Sequence, residues 1–146
     1  MFSKSCEYGL QAMIFIAIHS RNNDKVTLGQ IAKAENIPQP FLSKILQQLV
    51  KHNLIGSTRG RYGGYYLIKS PKNINLLEIV KILDGTYPME NCVLGLNNCS
   101  NQNPCPVHID FKKARDHVKQ LLELKSLYAL SEDIKSGPAQ SVIKIK

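Results

Sequence analysis

The stretch TLGQIAKAENIPQPFLSKILQQLVKHNLIGSTRGRYGGYYLI, residues 27–68, decides the fold. It opens on Thr27-Leu28-Gly29-Gln30, a capping box in which a Thr hydroxyl and a Gln amide satisfy N–H groups left free at a helix start. The helix begun there runs to about Glu35 and is broken by Asn36-Ile37-Pro38. A second helix follows from about Pro40, with Leu42, Ile45, Leu46, Leu49 and Val50 spaced as the apolar face of a helix. Asn53 suits the left-handed residue that closes it. Its other face carries Gln39, Ser43, Lys44, Gln47, Gln48 and Lys51, hydrogen-bonding and cationic groups without a carboxylate. Residues 54–59 and 65–68 then read as two short strands joined by the glycine-rich turn 60–64. That turn lacks the Gly-Lys-Ser/Thr end of a phosphate-binding P-loop.

Upstream, residues 3–20 read as a helix apolar nearly all round toward its end, which predicts burial. Downstream, Asn75 with Glu78 three residues on caps a helix that ends at Gly85. Helix, short helix, turn, second helix and a two-stranded wing is the order of a winged helix-turn-helix. The expected fold class is therefore mostly α (α+β). The second helix suits the major groove of double-stranded DNA, where Gln, Lys and Ser reach base edges. Arg59 and Arg61 on the wing would reach phosphates or a narrow minor groove. The candidate DNA contacts are Thr27, Gln39, Pro40, Ser43, Lys44, Gln47, Lys51, Arg59, Arg61 and Tyr62.

Charge supports this placement. The 146 residues carry a formal net charge of +8, and residues 1–85 hold 11 basic and 5 acidic side chains of that total. No acidic residue falls between Glu35 and Glu78, a window containing Lys44, Lys51, Arg59, Arg61, Lys69 and Lys72. A polyanionic partner is the natural inference. The longest apolar run, residues 12–18, is far short of the roughly 20 residues a membrane helix needs, so no membrane role is expected. His19, Arg21 and Asp24 stand where a signal-peptide cleavage site should lie, and the expected location is cytoplasmic. No nucleophile, base and orienting group form a visible set, so an enzyme is not expected.

Residues 87–108 change character to Asn, Pro, Gly and Cys with little periodicity, and a long structureless stretch in a compact chain is usually functional. It contains Cys92, Cys99, Cys105 and His108, with few apolar side chains to organise it. In a reducing compartment such thiols point to metal or redox chemistry rather than disulfides. Pro106 fits the first turn of a following helix, which puts Cys105 beside a helix N-terminus that favours a thiolate. Structural zinc is one occupant of three Cys and one His. Spacings of six and five residues are wider than usual zinc knuckles, and an iron–sulfur cluster suits the loop as well. Cys6 stands apart and reads as a small core residue.

At this point the chain resembles the IscR/NsrR family of bacterial winged-helix iron–sulfur transcription regulators over most of its length. The resemblance is carried by residues 8–13, Ile31-Ala32 and Ile37, Phe41-Leu42 with Leu46 and Leu49, residues 57–60 and 63–65 in the wing, and the three loop cysteines. It implies Cys92, Cys99 and Cys105 as thiolate ligands. His108 matches the histidine of the IscR-like branch, which implies [2Fe–2S] as the preferred cluster with [4Fe–4S] as the alternative. Glu7 falls where the NsrR branch carries a carboxylate ligand donated by the partner subunit, so it is the alternative fourth ligand. Ser43 and Phe111 depart from the family, which has an acidic residue and a Trp there, and operator sequences are not carried over.

Phe111, Ala114, Val118, Leu121, Leu122 and Leu124 stripe one side of a helix too apolar for a lone small chain to cover. A homodimer is expected, as in the family, binding a palindromic operator through two recognition helices. The expected organisation is a winged helix-turn-helix over 1–85, a cluster loop over 86–108, a dimerisation helix region over 109–135 containing a second short helix near 126–134, and a flexible tail over 136–146. The expected function is sensing of iron–sulfur status, oxidative stress or nitric oxide by a DNA-binding transcription regulator. A zinc-stabilised winged-helix repressor without a redox role is the alternative.

Overall fold

The computed structural model describes residues 1–137. Helix α1, Lys4–His19, is capped by Ser3, whose hydroxyl accepts from the Cys6 N–H at 3.1 Å. The Ser3 N–H also donates to Asp84 at 2.8 Å, tying the start of α1 to the end of α4, Leu76–Asp84. The capping box forms as read: Thr27 accepts from Gln30 N–H at 3.1 Å, and Gln30 Oε1 accepts from Thr27 N–H at 2.8 Å. It opens α2, Leu28–Glu35, which ends on left-handed Asn36. Helix α3, Gln39–Lys51, follows with Pro40 in its first turn, and Asn53 takes a φ of 60° just beyond its end.

Strands β1, Ile55–Thr58, and β2, Gly64–Leu67, pair antiparallel in the register Ile55 to Leu67 and Thr58 to Gly64. Gly63 closes the turn by donating to Gly60 at 3.0 Å, and a Cβ on Gly63 would lie 2.3 Å from the Thr58 carbonyl oxygen. Glycine is needed there for close backbone approach. Val26 adds an antiparallel bridge to Tyr65, with N–H to O distances of 3.0 and 2.7 Å. The wing is thereby stitched to the segment that leads into α2, a link with no local sequence signal.

Three boundaries differ from expectation. The segment after Gly85 contains one helical turn, α5, Tyr87–Glu90, where Thr86 accepts from Met89 N–H at 2.9 Å and Met89 is buried. Helix α6, His108–Leu124, starts two residues after Pro106, because residues 105–108 form a separate turn with His108 N–H donating to the Cys105 carbonyl at 3.0 Å. Helix α7, Leu127–Ser136, includes Ser136, and the rest of the expected tail past Gly137 lies outside the described residues.

The core joins Met13 and Ile16 of α1 to Ile31, Leu42, Leu46, Leu49, Leu54, Ile55 and Ile79, all fully buried. Leu127 and Ile134 of α7 belong to the same cluster. The last described helix therefore folds back on the first. Two backbone hydrogen bonds fix its return, Leu127 N–H to Ile74 O at 2.7 Å and Leu76 N–H to Lys125 O at 3.1 Å. Helix α6, in contrast, has no buried residue, and Leu121 and Leu124 are 55% and 75% exposed. Among the described residues no helix is long and apolar enough to cross a membrane.

Candidate metal centre and nucleic-acid interface

The nucleic-acid candidates lie on the cap of α2, along α3 and around the wing turn. Thr27 caps α2, and Gln39 and Pro40 form the first turn of α3. Lys44, Gln47 and Lys51 are exposed on the α3 face opposite the buried Leu42, Ile45, Leu46 and Leu49, while Ser43 is half-buried. Arg59, Arg61 and Tyr62 are exposed around the wing turn, with the Arg61 guanidinium 5.7 Å from the Tyr62 ring centroid. The six cations of the acid-free window divide by partner. Lys69 pairs with Glu78 at 2.6 Å and Lys72 lies over the Tyr128 ring at 4.8 Å. Lys44, Lys51, Arg59 and Arg61 have no ion pair among the described residues. Within that window the cations without an ion pair among the described residues are thus those of α3 and the wing turn together with Lys72.

In the cysteine loop, the Sγ atoms of Cys92, Cys99 and Cys105 all lie within 4.8 Å of one another. Turns rather than a core hold them. Gly95 N–H donates to Cys92 O at 2.9 Å, Cys99 N–H to Leu96 O at 3.2 Å, and Ser100 N–H to Asn103 O at 3.1 Å. Val93, Leu94 and Leu96 point outward, each at least half exposed. A second brace comes from α6, where the Arg115 guanidinium donates to the main-chain carbonyl of Asn91, while its buried Nε has no hydrogen-bond partner among the described residues.

The thiols differ electrostatically. Main-chain N–H groups of Leu96 and then Leu94, with Cys99 and Cys105 beside them, bring Cys92 down to about 7 against the opposing effect of desolvation. At Cys99 the Cys105 N–H pulls downward, but desolvation and the neighbouring thiols outweigh it and the net shift is upward. Cys6 is buried in α1, and burial followed by the Asp84 carboxylate pushes its thiol up to about 12, as fits an inert core residue.

The donor set fits a metal. Cys92 and Cys105 sulfurs are 3.8 Å apart, close to the ~3.8 Å expected for two thiolates on one tetrahedral ion with metal–sulfur bonds of ~2.3 Å. His108 stands at the edge of the set, its Nδ1 3.1 Å from Cys99 Sγ. Glu7 lies exposed in the first turn of α1, hydrogen-bonded to Lys4 at 2.9 Å, and is not brought to the thiols of its own chain. Arg115 and Asn101, which contacts His108, were not foreseeable from residue spacing, since each acts through a pairing that only the folded loop creates.

Comparison with known proteins gives a consistent result. The Rrf2 family, described as iron-dependent transcriptional regulators, matches residues 2–133. A protein of Aquifex aeolicus (strain VF5) described as an HTH-type transcriptional regulator is 31% identical over 138 residues, covering 90% of this chain and 94% of its own. The HTH-type transcriptional regulator IscR of Photorhabdus laumondii is 28% identical over 123 residues, covering 84% of this chain and 74% of its own. Among solved structures, the global cysteine regulator CymR of B. subtilis superposes with a TM-score of 0.76 at 27% identity, covering 90% of this chain and 96% of that one. T. potens IscR gives 0.71 at 25% identity, covering 91% and 87%.

Proposed function

The chain belongs to the Rrf2 family of transcriptional regulators, and from that membership we propose that it is a homodimeric DNA-binding regulator that senses iron–sulfur status, oxidants or nitric oxide through an iron–sulfur cluster. The observation that carries this reading is the gathering of three thiols within 4.8 Å on a loop that has almost no apolar anchorage of its own. Such a loop, held by turns and the Arg115 brace without a core of its own, gains further order from a bound metal. Likeness to CymR, a cysteine regulator, and to IscR alike means that this fold serves more than one signal. Three clustered thiols favour the metal-based one here.

In this reading Cys92, Cys99, Cys105 and His108 hold the cluster, [2Fe–2S] in preference to [4Fe–4S], with Glu7 of a partner subunit as the competing fourth ligand. When bound, the cluster supplies a centre that oxidants and nitric oxide attack. The chain's residues do the rest: the loop joins directly to α6 through the 105–108 turn, and Arg115 binds α6 back to the start of the loop. The exposed apolar side of α6 packs against its twin, and the two α3 helices meet a palindromic operator with Lys44, Gln47, Lys51, Arg59 and Arg61 on the DNA. Whatever order the centre confers on the loop is transmitted as the angle between the two recognition helices. The two states differ in DNA affinity by the centre's differential binding to them.

One observation favours a second reading. Sulfurs so close together suit a single tetrahedral ion, and a zinc-stabilised repressor would need no rearrangement of the loop. Anaerobic purification separates the two. A coloured protein with labile sulfide supports the cluster, whereas a colourless one with one zinc per chain overturns it. For the DNA claim, operator affinity is measured against salt for Lys44→Ala and Arg59→Ala. Each is expected to weaken binding and to reduce the salt slope by about 1, and an unchanged slope in both removes α3 and the wing from the interface.

A further inference from the structure

His108 makes one contact from each ring nitrogen. Nδ1 lies 3.1 Å from Cys99 Sγ, and Nε2 lies 3.0 Å from Asn101 Oδ1. In a neutral imidazole one nitrogen donates and the other accepts. A carboxamide oxygen only accepts, so the ring proton facing Asn101 sits on Nε2 and the Nδ1 lone pair is left facing the thiols. Asn101 is not a casual neighbour. It lies in a turn closed by Asn103 Nδ2 donating to Asn98 O at 3.2 Å and Asn103 N–H donating to Ser100 Oγ at 3.1 Å. The same turn carries Cys99, whose sulfur also accepts from the Cys105 N–H at 3.5 Å. One short segment therefore sets both the sulfur and the tautomer of the ring beside it.

We propose that Asn101 is a positioning residue that holds His108 in its Nε2–H tautomer and so makes Nδ1, rather than Nε2, the metal-binding nitrogen. This rests on the reading of His108 as the fourth ligand. Metal-bound histidines commonly donate their second N–H to a fixed acceptor, which orients the ring and raises its basicity, and losing that acceptor costs roughly 10- to 100-fold in metal affinity. Glu7 has no comparable arrangement, since its carboxylate is engaged with Lys4 on the surface of α1.

The test uses the reduced, metal-free full-length chain with cobalt(II) alone as the probe, together with long-range nitrogen-15 NMR of the His108 ring. The wild type is expected to show a protonated Nε2 and an unprotonated Nδ1. Asn101→Leu should give mixed tautomers and bind cobalt about 10- to 100-fold more weakly, while Asn101→Asp, which keeps the acceptor, should restore both. A purely structural role for Asn101 would not move the tautomer. A wild-type ring protonated on Nδ1, or an Asn101→Leu variant matching the wild type in tautomer and cobalt affinity, overturns the role of Asn101 and leaves the ligand set standing. A His108→Ala variant with wild-type cobalt affinity overturns the ligand reading and the proposal with it.

Discussion

The guanidinium of Arg115 on α6 donates to the main-chain carbonyl of Asn91, so the helix that leaves the cysteine loop holds the residue that precedes its first cysteine. Loop and helix are closed into one unit before any metal binds. In the metal-free protein, Arg115→Ala is expected to speed amide exchange of residues 91–105 by about tenfold or more, in line with loss of a hydrogen bond to a charged group. Exchange of buried amides in α1 and α3 should not change, because the hydrogen bond that is lost ties α6 to the loop and not to either of those helices. Uniform acceleration across the chain would mean that Arg115 supports the whole fold instead.

The first and last of the four thiols to react are set by their surroundings. Cys92, lowered to about 7 by the Leu96 and Leu94 N–H groups, is substantially thiolate near neutral pH. Cys6, raised to about 12 and fully buried, is neither ionised nor reachable. Alkylation of the reduced apo-protein at about pH 7.5, followed by mass spectrometry, should modify Cys92 first and Cys6 only on global unfolding. Early modification of Cys6 would refute its place in the core.

His19 gives the fold a pH dependence of definite sign. Desolvation, with the Lys135 charge second, lowers its folded-state pKa, its buried Nε2 has no hydrogen-bond partner among the described residues, and its ring centroid lies 4.2 Å from that of Phe15. The unfolded chain therefore binds the proton more readily, so the stability contributed by neutral His19 is complete above the unfolded value of about 6.5 and is lost as pH falls below it. Urea unfolding of the apo-protein should show stability dropping between about pH 7 and 5.5. Replacement by His19→Phe should flatten that drop, and an undiminished slope in the variant would assign it to other groups.

Helix α6 supplies a test of self-association. Leu121 and Leu124 stand 55% and 75% exposed on a helix with no buried residue. Burying a leucine is worth about 1.5–3 kcal/mol and a homodimer carries two copies of each, so Leu121→Glu or Leu124→Glu should weaken a dimer by roughly 100-fold or more in sedimentation experiments. Thermal unfolding of the core is expected to stay cooperative. Wild-type association in both variants would place the dimer contact elsewhere.

What was legible in the chain was local. Thr27 with Gln30, Asn75 with Glu78, and Asn36 and Asn53 at φ of 53° and 60° each announce a helix boundary through a contact within a few residues, and each formed as read. The three loop cysteines were legible because their side chains have few other uses. Illegible were contacts whose partners are distant or lie in aperiodic chain: Val26 with Tyr65, Leu127 in the core beside α1, Arg115 with Asn91, and Asn101 with His108. A short helix is expected near 126–134, but not that Leu127 and Ile134 of α7 join the core beside α1. Helix α5 leaves no trace in the sequence pattern because a single helical turn has no period to detect.

Residues 74–76 and 125–127 are clasped by hydrogen bonds of 2.7 and 3.1 Å, at the N-terminal end of α4 and the C-terminal end of α6. The cysteine loop joins the opposite end of α6, whose 17 residues span about 25 Å at 1.5 Å per residue. Mechanically this is a lever with its fulcrum set in the core and its load at the tip. A displacement of about 1 Å at the loop arrives at the fulcrum as a tilt of only about 2° and almost no translation over that arm length. In the proposed sensing reading, a change in the loop would therefore reach the core that carries α3 as a change in the direction of α6.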